Sequence, residues 1–470
     1  MASSLRYASL AAALSIAMAF ASPTNARPQD AANMTAADAV AVADAAREAD
    51  LKTEATAILD EMDAGKFDAV HARFTAEMAA AISADQLKQI WTTLPGQLGA
   101  AQGRGDMQVR TRDGTKFVTL PLRYEHATIN AIFAFEADGK VSGLLLKPQD
   151  APKEAAPPVP AGAHYREIEL KIGDDATALP ATLALPEGKG PFPAIVLVHG
   201  SGPQDRDETI GANRPFLDIA RGLAERGIAV LRYEKRTKAR PQDYAQGVTI
   251  DNETTDDAVL ALAALRAQAK IDRKRVFVLG HSQGGMMAPR IAAHDPAVAG
   301  LVLLAAPARS LLDILIEQNR RLAYLDDGHL SDAESQQIMR VTDAVKTIRE
   351  GGEPSADHAL MGLPAAYWRT IDAVDPVAEA AKLNQPMLFL QGARDIQVVD
   401  ADWQAWKGAF GNDPRATFKL YEALNHLAIP GEGPGSLQEY QTPGHVLPAL
   451  IDDIAAWIAR NGKPAVKRSK

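Results

Sequence analysis

Four stretches of this chain, PFPAIVLVHG from Pro191, IAVLRY from Ile228, RVFVLG from Arg275 and GLVLLAAP from Gly300, are apolar with no polar alternation. Between them lie RPFLDIARGLAERG, DDAVLALAALRAQAK and GMMAPRIAAH, whose apolar residues recur at helical spacing. A strand that is apolar on both faces must be covered on both faces, and intervening helices supply that cover. The pattern predicts an α/β unit with a mostly parallel sheet and helices on both faces. It resumes with PMLFLQG from Pro386 and ATFKLYEAL from Ala416 and closes with the helix LPALIDDIAAWIAR. In such sheets function gathers at the carboxyl ends of the strands.

At one of those ends stands Gly280-His281-Ser282-Gln283-Gly284. It follows a buried strand and opens a helix, the placement that a G-x-S-x-G nucleophile elbow requires. Small flanking residues let the backbone turn sharply beneath the serine, and the helix N-terminus favours negative charge there. A serine hydroxyl needs a base, and the base needs an orienting carboxylate. In sheets of this kind the partners follow in the order serine, acid, histidine. Asp395 in FLQGARDIQVV and His426 in LYEALNHLAI each follow an apolar strand, so both are expected at the same edge as Ser282. Asp400 and Asp402 read instead as first-turn residues of the next helix, and His445 as a loop or cap residue.

An oxyanion needs two N–H donors. Gln283, directly after the nucleophile, supplies one; the loop after AIVLVHG supplies the other, with Ser201 first choice and Gly202 second. His199, at the end of that strand, is expected to order the loop through hydrogen bonds, and His281 to be a packed structural residue. Asp205, Arg206, Asp207 and Glu208 read as an ion-pair network bracing the loop, with substrate orientation as the alternative. The sequence has no P-loop, no dinucleotide fingerprint and no zinc-spaced His/Glu pair, so neither cofactor nor metal is implied.

From about 308 to 383 the alternation stops and helices dominate, which marks an insertion between sheet strands. SDAESQQIMRVTDAVKTI carries a capping box at Ser331 and Glu334 and an apolar stripe through Ile338, Val341, Val345 and Ile348. This insertion is the candidate lid, with Tyr367 and Trp368 as candidate substrate-binding aromatics; packing of the insertion onto the sheet explains them equally well.

Upstream, residues 1–26 have the form of a cleaved signal peptide: Arg6, an apolar run from about Ala8 to Phe20, and small residues at Ala19, Ala21 and Ala26. The run is shorter than a bilayer span, so no membrane span is expected after cleavage. Residues 27–147 read as a small α+β domain. Its helices break at Gly65 and end with one capped by Ser83 and Gln86 and stopped by Pro95-Gly96; an antiparallel meander with turns at Asp113-Gly114 and Asp138-Gly139 follows. A Pro/Ala-rich linker, 148–162, leads to the α/β unit, 163–470. A net charge of -9 argues against a nucleic-acid reader. The signal, with no cysteine in the chain, fits a periplasmic or secreted protein that stands without disulfides. Nothing sets an oligomeric state.

HGSGPQDRDETIGANRPF, GIAVLRYEKRT, VLGHSQGG and LNHL together resemble the α/β-hydrolase superfamily, and within it the bacterial EstD-type esterases. The small upstream domain is similar to one of unknown function often attached to such hydrolases. The resemblance implies an α/β-hydrolase fold with a helical lid insertion, and a serine carboxylesterase acting on short-chain acyl esters, small molecules, through Ser282, Asp395 and His426. Two rivals use the same triad, a serine aminopeptidase and a thioesterase. A third is a non-catalytic binding protein in which the small domain is the functional part.

Overall fold

The computed structural model describes residues 36–112, 115–125, 127–148, 156–244, 247–355 and 360–461; the expected signal peptide and the turn at Asp113-Gly114 lie outside them. The chain falls into two compact units, residues 1–154 with 355–362 and residues 155–354 with 363–470.

In the first unit, α1 (Ala36–Asp63), α2 (Phe67–His71), α3 (Ala76–Ala81) and α4 (Ala84–Leu98) precede β1 (Ala101–Arg104), β2 (Gln108–Arg112), β3 (Thr115–Tyr124), β4 (Thr128–Phe135) and β5 (Val141–Pro148). All the strand pairs are antiparallel, in the order β1-β3-β4-β5 with β2 also on β3. Every second residue of β4, Ile129, Ala131, Phe133 and Phe135, is buried in one core with Leu51, Ile58, Leu59 and Trp91 of the helices. Ser83 and Gln86 form the reciprocal capping box (3.2 and 2.8 Å). Pro95 does not stop α4 as expected. A proline this late in a helix removes a single backbone hydrogen bond, and burial of Leu94 and Leu98 holds the last turn in place until Gly99 at φ 83. The sequence reading also missed β1, whose residues AQGR include no large apolar side chain.

The second unit runs β6 (Tyr165–Ile172), β7 (Leu179–Pro186), β8 (Phe192–Val198), α5 (Pro215–Glu225), β9 (Ala229–Tyr233), α6 (Arg236–Ala239), α7 (Asp256–Arg266), β10 (Ile271–His281), α8 (Gln283–His294) and β11 (Leu301–Leu304). Then come α9 (Leu311–Asp327), α10 (Asp332–Arg349), α11 (Ala365–Asp372), α12 (Pro376–Ala381), β12 (Met387–Gly392), α13 (Asp400–Phe410), β13 (Ala416–Tyr421) and α14 (Pro448–Asn461). The eight-stranded sheet has the order β13-β12-β11-β10-β8-β9-β7-β6. It is parallel from β13 to β9, and antiparallel where β7 pairs with β9 and β6. This is the α/β-hydrolase fold. Strand order reverses at β8, which lies between β9 and β10, so the carboxyl ends of β8 and β10 flank a topological switch point where α/β sheets place their sites.

One face of the sheet is packed by α5 and α14. Phe216, Ile219, Leu223, Leu450, Ile454 and Trp457 share a core with Ile195, Leu197, Phe277, Leu279, Val302 and Leu388. The alternating residues Val196, Val198 and Val278 are equally buried, and α7 and α8 pack against β8 and β10 without joining that core. Both faces are covered, as strands without polar alternation require. In the helical insertion the Ser331–Glu334 capping box forms (3.2 and 2.8 Å) and the stripe of Ile338, Val341, Val345 and Ile348 is buried.

Trp457 meets Phe277 edge to face at 5.8 Å and is 1% exposed. Trp457→Ala is expected to lower the stability of this unit by about 3–5 kcal/mol in denaturant titration; a loss below about 1 kcal/mol would show that α14 is not integral to the core.

Candidate active site

Ser282 stands between β10 and α8 at φ 53 and ψ -122, a conformation that costs a non-glycine residue about 1–3 kcal/mol. Packing holds it there. A Cβ on Gly284 would lie 2.6 Å from His199 O and press on Val198 O, and one on Gly280 would collide with the Gly284 backbone. Only glycine lets α8 start this close to the ends of β8 and β10. Ser282 N–H donates to Leu304 O (2.9 Å), which ties the turn to β11 as well. The first-turn N–H of Gln283 has no intrahelical acceptor.

Asp395 and His426 come together as the sequence order predicts. Nδ1 of His426 donates to Asp395 Oδ2 at 2.8 Å, and both side chains are almost fully buried. The remaining capacity of Asp395 is filled: Oδ1 accepts from Gln397 N (2.8 Å) and Val398 N (3.0 Å), and Oδ2 also accepts from Gln391 Nε2 (3.1 Å). With Nδ1 holding the proton toward a carboxylate, Nε2 is the nitrogen left to act as a base. The His426 loop is fixed by Asn425, whose Oδ1 accepts from Leu427 N (3.0 Å) and Ile429 N (3.2 Å).

His426 reaches the serine turn through its neighbour. His281 Nε2 donates to His426 O at 2.9 Å, and the two rings lie 4.7 Å apart. Among the described residues no hydrogen bond joins Ser282 Oγ to His426 Nε2, and apo sites often tighten that contact only on binding substrate. His281 is thus more than the packing residue expected of it. Its Nδ1 lies 2.9 Å from Glu208 Oε2, a close charge contact rather than an in-line hydrogen bond. Burial opposes a charge on His281, but Glu208 and His426 O outweigh it and raise its pKa above the ordinary imidazole value. Burial likewise pushes the Glu208 carboxyl up, while His281, His199 and the Gly200 N–H together bring it below the usual range.

The loop after β8 is braced largely by the expected charged cluster. Asp205 Oδ1 accepts from Asp207 N (3.2 Å) and Thr209 N (2.9 Å); Arg206 bridges Glu234 and Glu169; Asp207 pairs with buried Arg232; Glu208 Oε1 accepts Gly200 N–H at 2.6 Å. Ser201 and Gly202 follow directly, and neither N–H donates to a group among the described residues. His199, expected to order the loop through hydrogen bonds, keeps a loose contact with the Asp205 backbone and is held chiefly by packing. Its ring lies against Phe216 (5.2 Å) and Tyr233 (5.1 Å), and neither nitrogen makes an in-line hydrogen bond. Burial drives its pKa down to about 4.

One further expectation changes. Asp402 is in the first turn of α13 but fully buried, accepting from Ala308 N (3.0 Å) and from Arg309 Nε and Nη2 (3.2 and 2.7 Å), so it anchors the loop after β11 rather than serving the helix dipole alone. Asp400 stays exposed, and His445 is an exposed loop residue near Asp218. Tyr367 and Trp368 on α11 are both buried; the Tyr367 hydroxyl donates to Glu253 Oε2 at 2.7 Å, and burial beside that carboxylate raises its pKa well above the phenol value.

Sequence reasoning overlooked Lys235 and Glu253, a buried pair at 2.9 Å. The available signal was a lysine two residues past β9 at the same carboxyl edge as Ser282.

Residues 191–432 match the family described as serine aminopeptidase, S33, and residues 55–144 match a protein family of unknown function, DUF3887. Over 407 residues the chain is 33% identical to Esterase EstD of Thermotoga maritima, covering 87% of this chain and 95% of that one. Among solved structures, Est1E from Butyrivibrio proteoclasticus aligns with TM-score 0.41 at 17% identity over 62% of this chain and 98% of its own. The esterase domain of a Rhodothermus marinus protein aligns with TM-score 0.39 at 16% identity over 63% and 98%.

Two outcomes follow from this geometry. Gly284→Ala should cost about 3 kcal/mol or more in denaturant titration, whereas Gly408→Ala in α13, where a Cβ meets nothing within 4 Å, should be neutral or stabilise by up to about 1 kcal/mol; equal effects would refute the close-approach argument. His199 is neutral in the fold, so the unfolded chain takes up its proton first as pH falls below about 6.5. The wild type should therefore lose about 2 kcal/mol more than His199→Phe between pH 7 and pH 5; identical pH slopes would show that His199 titrates normally.

Proposed function

The chain belongs to the serine aminopeptidase S33 family of α/β-hydrolases, and within it we propose a carboxylesterase that acts on small-molecule, short-chain acyl esters through an acyl-enzyme on Ser282. The observation that carries this reading is the buried His426 Nδ1 to Asp395 Oδ2 hydrogen bond beside the Ser282 turn. His426 Nε2 takes the Ser282 proton as Oγ attacks the ester carbonyl, and Asp395 stabilises the imidazolium that forms. The oxyanion is held by Gln283 N–H and Ser201 N–H. The alcohol leaves with the proton from His426, and water then attacks the acyl-enzyme by the same route.

The likeness to Esterase EstD over most of both chains favours esters. An aminopeptidase needs a carboxylate to receive the substrate's free amine, and the buried carboxylates around Ser282 are already engaged. Asp395 is filled by His426 and backbone amides, Glu208 by Gly200 N–H and His281, and Glu253 by Lys235, Gln283 and Tyr367. Export to the periplasm or medium is part of the proposal and rests on residues 1–26 of the sequence.

Hydrolysis of p-nitrophenyl esters from acetate to palmitate is expected to concentrate on short chains and to fall by about 10⁴-fold or more in Ser282→Ala. A folded wild type that ignores these esters but cleaves aminoacyl amides or acyl thioesters would replace the carboxylesterase by one of those enzymes. Turnover that survives the substitution would remove Ser282 from the nucleophile's role.

A further inference from the structure

Gly200 O and Ser201 N–H belong to one peptide group. The only cis bond among the described residues is Gly190-Pro191, so this group is trans, and in a planar trans peptide the C=O and N–H point in opposite directions. Whatever grips Gly200 O therefore sets the direction of Ser201 N–H. The Lys235 ammonium grips it, donating at 2.8 Å from a side chain that is 2% exposed. The preceding peptide is fixed separately, by Gly200 N–H on Glu208 Oε1. The site is close to the nucleophile: a Cβ on Gly200 would stand 3.3 Å from Ser282 Cβ.

Lys235 is itself held by Glu253, a 4% exposed residue in the π-helical turn Asp251–Thr255 ahead of α7. Glu253 Oε1 pairs with Lys235 at 2.9 Å, while Oε2 accepts from Gln283 Nε2 (3.0 Å) and from Tyr367 OH (2.7 Å). One carboxylate thus ties together the residue that orients the Gly200–Ser201 peptide, the residue whose backbone supplies the other oxyanion donor, and α11 of the helical insertion.

We propose that Lys235 is a positioning residue of the oxyanion hole, aiming Ser201 N–H at the oxygen that becomes negative, and that Glu253 sets this amide in register with Gln283. The inference rests on the acyl-enzyme reading of Ser282 and deepens it. It selects Ser201 over Gly202 as the second donor, because the grip acts on the Ser201 peptide. A cation on the carbonyl side also withdraws electron density from that peptide, which strengthens its N–H as a donor when charge develops.

The test uses the full chain with Lys235→Met, and with Lys235→Met/Glu253→Gln, since the single change leaves Glu253 buried without its partner. Activity on p-nitrophenyl acetate is normalised to titrated active sites, and inhibition by an alkyl trifluoromethyl ketone, whose serine adduct places an oxyanion in the hole, is measured beside it. The expected result is a fall in kcat of about 30- to 300-fold with KM within about threefold, and ketone affinity weakened by a matching factor. A purely structural role would reduce the number of active sites and leave kcat per site and ketone affinity unchanged; that result in the folded double variant overturns the proposal while the esterase reading stands. A wild type that neither turns over the ester nor binds the ketone overturns the acyl-enzyme reading, and this inference with it.

Discussion

Where Gly284 would carry a Cβ, the backbone carbonyls of β8 already stand. That close approach of the α8 N-terminus to the end of β8 is the constraint on which the site depends. It forces Ser282 into a left-handed conformation, and it brings the first free amide of α8 beside the loop after β8. Parallel strands of opposite crossover direction leave a crevice at this switch point, and the glycines allow Ser282 to stand at its edge. The strain at Ser282 is sustained by the bond from its N–H to Leu304 O and by the core beneath.

Around this turn the chain buries several charged groups. Lys235 with Glu253 and Glu208 with His281 lie on either side of Gly200, and the Asp395–His426 pair lies beyond. Burying ions costs more than pairing alone returns, so such groups persist where further hydrogen bonds add to the pairing. Here backbone groups of the loops around Ser282 add to the pairing: Gly200 N–H, Gly200 O and His426 O. The charges therefore fix where amides and imidazole point in a site of low dielectric, the preorganisation that the proposed acyl-enzyme chemistry calls for.

Much of this was legible in the sequence. Strands without polar alternation dictated a sheet covered on both faces, and strand order placed Asp395 and His426 after β12 and β13 at the edge where Ser282 stands. Caps at Ser83 and Ser331 could be read because their reciprocal bonds are local. What could not be read depends on distant partners. Pro95 is carried inside α4 by burial of residues on either side of it. Asp402 resembles a dipole residue until Ala308 N and Arg309 reach it from the loop after β11. Lys235 and Glu253 are separated by enough sequence that only the fold brings them onto Gly200 and Gln283.

The proposed chemistry turns on Ser282 as the activated nucleophile. The most direct measurement is intact-mass and peptide mapping after reaction of the folded protein with a fluorophosphonate. One adduct per chain, carried by Ser282 and abolished by prior denaturation, is the predicted result. An adduct on another residue, or none on a protein shown to be folded, would contradict the account.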